Sequence, residues 1–334
     1  MTPPESRSTE TAARLGVRVA REILHETVHL SILLFRIMIP VVIVVKVLAE
    51  LGMVQHIAAA LKPIMGIVGL PGDSGIVWAT ALLTNLYGAI IAFLTLAPDM
   101  SLTVAQVTIL TSMMLVAHSL PLELRIAQKA GAGMLMLGLF RFVGAIVFAA
   151  LLNLLYSRTG WLGQRYSPPW QPTAVDASLS AWAWGQILTL GRVFLIILAL
   201  MIFVRLLRKL GVIDLLERLL APVLRLMGMT AAATEITVVG MVMGVAYGSG
   251  LILRQTSSGR IAREEVVFSL MLMGLAHALI EDTLLMASLG AHLSGILLGR
   301  VVFALATMAI VVRLSPRLPK AVRRWFYADG KRAQ

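Results

Sequence analysis

The chain of 334 residues has no cysteine, which excludes disulfides, thiolate metal sites and cysteine nucleophiles together and leaves the redox compartment open. Charge is also scarce, at 14% Asp, Glu, Lys and Arg against 58% hydrophobic residues. With a mean hydropathy of +0.87, the chain has more apolar surface than a soluble core of its length could hide, and this places it in a bilayer. Acids are rarer than bases, 17 against 29, for a formal charge of +12. In a membrane protein such bases mark the cytoplasmic loops. Nucleic acid is not expected as a partner, because binding it needs a folded basic surface outside the lipid. Residues 1–10 lack an apolar core before a small-residue cleavage site, so no removable signal peptide is expected.

What is present is an internal repeat. Sliding the chain on itself by about 159 positions lays VAHSLPLE (116–123) over LAHALIED (275–282), His118 on His277 and Glu123 on Asp282. The same shift pairs Leu51-Gly52 with Leu210-Gly211, Pro63 with Pro222, Gly69 with Gly228, Gly131 with Gly290 and Arg141 with Arg300. Tyr87-Gly88 meets Tyr247-Gly248 after a one-residue slip.

Loop charge sets the topology. The loop at 97–102 has one acid and no base, whereas its counterpart at 254–265 holds Arg254, Arg260 and Arg263. By the positive-inside rule the first lies outside and the second inside, so the halves are inverted and each has an odd number of crossings. Spans are predicted over 30–50, 105–129, 134–156, 185–204, 264–288 and 294–312, each long enough for about 30 Å of hydrocarbon. Segments 72–97 and 231–253 then enter and return on one side as re-entrant hairpins. Eight full crossings would violate the charge bias after each hairpin.

The expected fold is thus an all-α polytopic membrane protein of two inverted repeats, about six transmembrane helices plus two re-entrant helical hairpins. Residues 1–29 form a cytoplasmic tail and interfacial amphipathic helix, 30–156 the first repeat and 157–184 an external connector rich in Trp and Pro. Residues 185–313 form the second repeat and 314–334 a basic cytoplasmic tail. Both termini are cytoplasmic.

The midpoints of 105–129 and 264–288 bring His118 and His277 near the bilayer midplane. Each either hydrogen-bonds a neighbouring helix or serves a ligand. Intramembrane carboxylates are costly unless they pair, bind a cation or carry a proton, so Glu281 and Asp282 are candidates for ion or proton coupling. Glu281, one helical turn past His277, is expected on its face. Glu123 is either a third coupling group or a local partner of Arg125 or Lys129. Pro121 is expected to kink the helix past His118. Arg141 and Arg300 have little weight as solute ligands, since arginine also snorkels or neutralises a buried acid. At the hairpin tips Asn85, Tyr87, Tyr247 and Ser249 are the candidate solute contacts, because irregular backbone at that depth must line a cavity or meet a ligand.

These segments resemble a known family. HALIEDT, HSLPLE, the Gly-Leu-Pro-Gly entry at 69–72 and the AYGSG tip before SGRIAREE look like the nucleoside-recognition Gate domain in two tandem copies, over about residues 40–315. Such domains occur in spore maturation proteins A and B, in the membrane part of ferrous iron transporter B and in concentrative nucleoside transporters. The resemblance implies an integral protein of the bacterial cytoplasmic (inner) membrane, and its motif carries over onto His118, Glu123, His277, Glu281, Asp282 and the tip residues. Against a named substrate, the chain is short for a nucleoside transporter, lacks cysteines, and has no GxxxxGK[ST] nucleotide-binding motif. The expected function is a secondary carrier, coupled to H+ or Na+, of a small polar or amphiphilic solute, nucleosides among the candidates. Neither a cofactor nor a resident metal is called for, and a homo-oligomer stays open. The alternative is a non-transporting assembly partner of the spore-maturation type. A metal-dependent intramembrane enzyme using both histidines is the weakest reading, for want of a third ligand.

Overall fold

The computed structural model describes residues 17–18, 21–29, 50–51, 53–168, 179–244 and 261–327, with scattered positions from 31 to 47. The described residues are helical, with isolated bridges in place of strands. Four stretches are long and apolar enough to cross a membrane: Val104–Lys129, Met134–Thr159, Ala183–Leu207 and Ser294–Arg317. The protein is an all-α polytopic membrane protein. Most of the predicted first span, the tip and return arm of the second hairpin with Tyr247 and Ser249, and residues 254–260 lie outside the described residues.

Helices α1 (Met53–Ile67), α2 (Ser74–Leu83) and α3 (Leu86–Leu96) precede α4 (Val104–Val116), α5 (Leu120–Lys129) and α6 (Met134–Thr159). Then come α7 (Leu179–Lys209), α8 (Val212–Leu226), α9 (Ala231–Met243), α10 (Arg263–Leu275) and α11 (Glu281–Ser288). A π-helical stretch at Ser294–Gly299 leads into α12 (Arg300–Leu314), and a short α13 (Lys320–Arg324) follows. The core is formed by α4 and α10, whose residues are buried nearly all round. Around it α6 turns an apolar stripe outward at Leu135, Leu139, Val143, Val147 and Leu151, Leu135 being 74% exposed. Spacing by four puts these on one face, which water would disfavour and acyl chains satisfy.

Paired glycines explain matching helix ends. α1 stops at Gly69 (φ +72°), where Leu70 N–H reaches back to Met65 O at 2.9 Å, and α8 stops at Gly228 (φ +89°), where Met229 N–H reaches Leu224 O at 3.2 Å. Both are left-handed caps that a residue with Cβ disfavours.

The segment 72–97 folds back on itself. Asn85 is extended and its side chain accepts from Gly88 N–H at 2.9 Å, which starts α3 immediately after α2 ends. The two outer ends then meet, Ser74 Oγ lying 3.5 Å from Met100 Sδ. Near the turn, Ala81 O accepts from Ser119 N–H at 2.9 Å.

The bundle has two distinct ends, joined by the 26 residues of α6, a rise of about 39 Å. At one, Tyr166 N–H donates to Leu102 O and Gln164 O accepts from Val104 N–H. There the Tyr166 hydroxyl also donates to Leu289 O at 2.6 Å; burial pushes this phenol up to about 12, so it remains a donor at ordinary pH. At the other end Gly133 N–H donates to Phe326 O, Ser315 to Glu264, and Thr230 N–H to Glu265.

Two predicted crossings differ from expectation. Segments 105–129 and 264–288 are not continuous helices: the first breaks at 117–119 and the second at 276–280. Hydropathy and length register a run of apolar residues but not an interruption of the helix within it.

Candidate functional site

Each break is built around one residue in the left-handed region. Ser119 has φ +49° and Ala278 φ +46°, a conformation costing roughly 1–2 kcal/mol in a residue with Cβ. Pro121 lies in the first turn of α5, where its missing N–H costs nothing. No proline stands near Ala278, so proline is not the common cause. Captured backbone groups are. Val116 O accepts from Arg141 Nε and Leu275 O from Arg300 Nε, both at 3.0 Å, while Arg300 Nη2 donates to His277 O at 2.7 Å. From the other side Ser119 N–H donates to Ala81 O and Leu279 N–H to Met241 O, both at 2.9 Å. Both arginines are buried, Arg141 1% and Arg300 0% exposed, and so satisfy carbonyls that no water reaches. Gly274 gives Arg141 room, since a Cβ there would stand 3.0 Å from Arg141 Cδ.

The breaks bring the histidines together. His118 Nδ1 is 2.8 Å from Met114 O and His277 Nδ1 2.8 Å from Met273 O. A carbonyl only accepts, so each Nδ1 carries hydrogen and each Nε2 is turned toward the cluster. Those two nitrogens are 3.2 Å apart. Glu123 Oε1 lies 3.4 Å from His118 Nε2 and 3.5 Å from His277 Nε2, and Asp282 Oδ2 lies 4.0 Å from the latter. The second oxygen of Glu123 pairs with Arg141. Acceptors converging on one point repel unless a cation stands among them, and in a dry interior that repulsion is strong.

The structure places the remaining expected residues as follows. Glu123 does not pair locally; Arg125 instead donates to Gln128 at 2.6 Å. Glu281 is not the carboxylate nearest His277. A one-turn relation needs a continuous helix, and the break at Ala278 resets the register so that buried Asp282 approaches the imidazole. Glu281 is exposed and lies near the half-buried Tyr87 phenol instead. Asn85 spends its side-chain oxygen on the α3 cap. Arg141 and Arg300 were undervalued from sequence, although their match across the repeat was the available signal. Beside Tyr87 a recess is lined by Ile90, Val193, Ile197, Leu285 and Ser288.

Residues 190–314 match the model of the Gate family, described as nucleoside recognition. The chain is 29% identical over 294 residues to the uncharacterized membrane protein YvoD of Bacillus subtilis (strain 168), covering 86% of this chain and 92% of that one. No solved structure matches it.

Proposed function

Since residues 190–314 match the model of the Gate family, we propose that this membrane protein is a secondary carrier of a small amphiphilic solute, built from two inverted Gate-type repeats over 30–156 and 185–313. The observation that carries the reading is the pairing of the two broken helices. Each is interrupted beside the end of a neighbouring helix, at Ala81 O and Met241 O, and each delivers one histidine to a shared buried cluster. Discontinuous helices and re-entrant ends meeting at mid-depth are how secondary transporters form a solute and ion site.

The inverted relation is supported by the loops. The 97–104 segment packs against 162–166 at one end of the bundle, whereas 262–265 packs against the C-terminal segment at the other. With cytoplasmic termini in the inner membrane, Asp99→Cys is then expected to react with an impermeant maleimide in intact cells, and Arg263→Cys only after permeabilisation. The natural absence of cysteine leaves no background. Labelling of both from one side would remove the inverted repeat.

In this reading the recess takes the apolar body of the solute and Tyr87, with Asn85, its polar part; Tyr247 and Ser249 complete the contact from the second hairpin. His118 and His277 take part from the buried cluster, and Glu281, Asp282 and Glu123 couple movement to H+ or Na+. In proteoliposomes, uptake of a solute found by thermal-shift screening of nucleosides and comparable amphiphiles is expected to require an imposed ion gradient. The double variant Glu281→Gln, Asp282→Asn should lose that requirement together with most of the accumulation. Gradient-driven uptake unchanged in this variant contradicts the coupling role. Silent tip substitutions, with loss of a co-purifying protein on altering the basic tail, would favour the assembly role instead.

A further inference from the structure

The central cluster has the dimensions of a metal site. We infer that His118, His277 and Glu123 bind a divalent transition-metal cation of the zinc class, with Asp282 adjacent as a fourth ligand. The inference goes beyond the carrier reading and does not depend on it.

The three inner edges, Nε2 to Nε2 and each Nε2 to Glu123 Oε1, measure 3.2, 3.4 and 3.5 Å. A tetrahedral ion with ligands at about 2.0–2.1 Å has ligand–ligand edges of about 3.3–3.4 Å. These three match as they stand, while Asp282 Oδ2, 4.0 Å from His277 Nε2, would close in on the ion. Donor chemistry points to the same class, since two imidazoles with one carboxylate suit zinc and its neighbours, whereas magnesium and calcium prefer oxygen alone.

The surroundings are those of a held ligand set. Met114 O and Met273 O fix both rings as Nδ1–H tautomers, leaving both Nε2 atoms as ligands. Arg141 grips the outer oxygen of Glu123 and so turns Oε1 toward the histidines. Asp282 Oδ2 is buried with no hydrogen-bond partner, and His118, His277 and Asp282 can bring one ligand atom each within 4.8 Å of one another. Arg141 and Arg300 already offset the two carboxylates, so the ion adds net positive charge to the cluster.

The test is binding of the metal alone to purified full-length protein. After chelator treatment and equilibrium dialysis against Zn2+, the wild type should retain about one ion per chain. His118→Ala and His277→Ala should each weaken binding at least about tenfold, while His292→Ala, outside the cluster, should not. Should the alanine variants fail to fold, Co2+ added to the wild type gives an independent readout, the intense visible ligand-field bands of a tetrahedral site. Absent zinc retention, binding as tight as wild type in both histidine variants, or only the weak bands of octahedral Co2+ would each overturn the assignment. The lone pairs would then face a shared proton.

Discussion

Arg300→Met is expected to lower stability by about 2–5 kcal/mol, because it strips the donors from two buried carbonyls at about 1–3 kcal/mol each. The side chain is 0% exposed and donates only to backbone oxygens, Leu275 O and His277 O. No water reaches that depth to replace it. Removing a buried guanidinium recovers part of its own desolvation cost, which is why the lower bound is modest. Arg300→Lys should rescue little, since one ammonium cannot reproduce the planar fork that spans both carbonyls. Thermal unfolding in detergent decides it. A melting temperature equal to wild type in Arg300→Met would mean that the helix break is not held by this side chain.

Glu123 and Arg141 are expected to behave as a unit. Glu123→Leu leaves the Arg141 guanidinium in a dry site without its carboxylate, a situation that costs about 3–5 kcal/mol. Arg141→Met unmakes the same pair and also orphans Val116 O. The double variant should recover most of the loss but not all, since an apolar pair replaces the ion pair while Val116 O stays unsatisfied, at about 1–3 kcal/mol. Denaturant unfolding of the four proteins should thus give a coupling energy of at least about 1.5 kcal/mol. Additive losses would show that the pair makes no contribution. Arg300 provides the contrast, for its bonds run to backbone and no single partner substitution can compensate it.

Local signals account for part of the site. His118 and His277 stood out because a polar residue in an apolar run is costly, and their repetition made a shared role the natural expectation. Gly69 and Gly228 were readable for a similar reason, as a left-handed cap selects one residue type. Asp282 was a candidate for its charge, but its approach to His277 was hidden. That contact depends on Ala278 taking φ +46°, which alanine does not favour by itself. The grip of Arg141 on Glu123, 18 positions apart, was hidden too, because no helical spacing relates them.

The sequence by itself determined that the protein lives in lipid, that its fold is helical, and that a histidine, an acid and an arginine recur about 159 positions apart. Those are statements about composition and period, which transfer free energies act on residue by residue. Only the tertiary structure decided where the helices break and which acceptors converge. A left-handed break at a non-glycine residue is locally unfavourable and survives because distant donors, Arg141 and Arg300, satisfy the carbonyls it exposes.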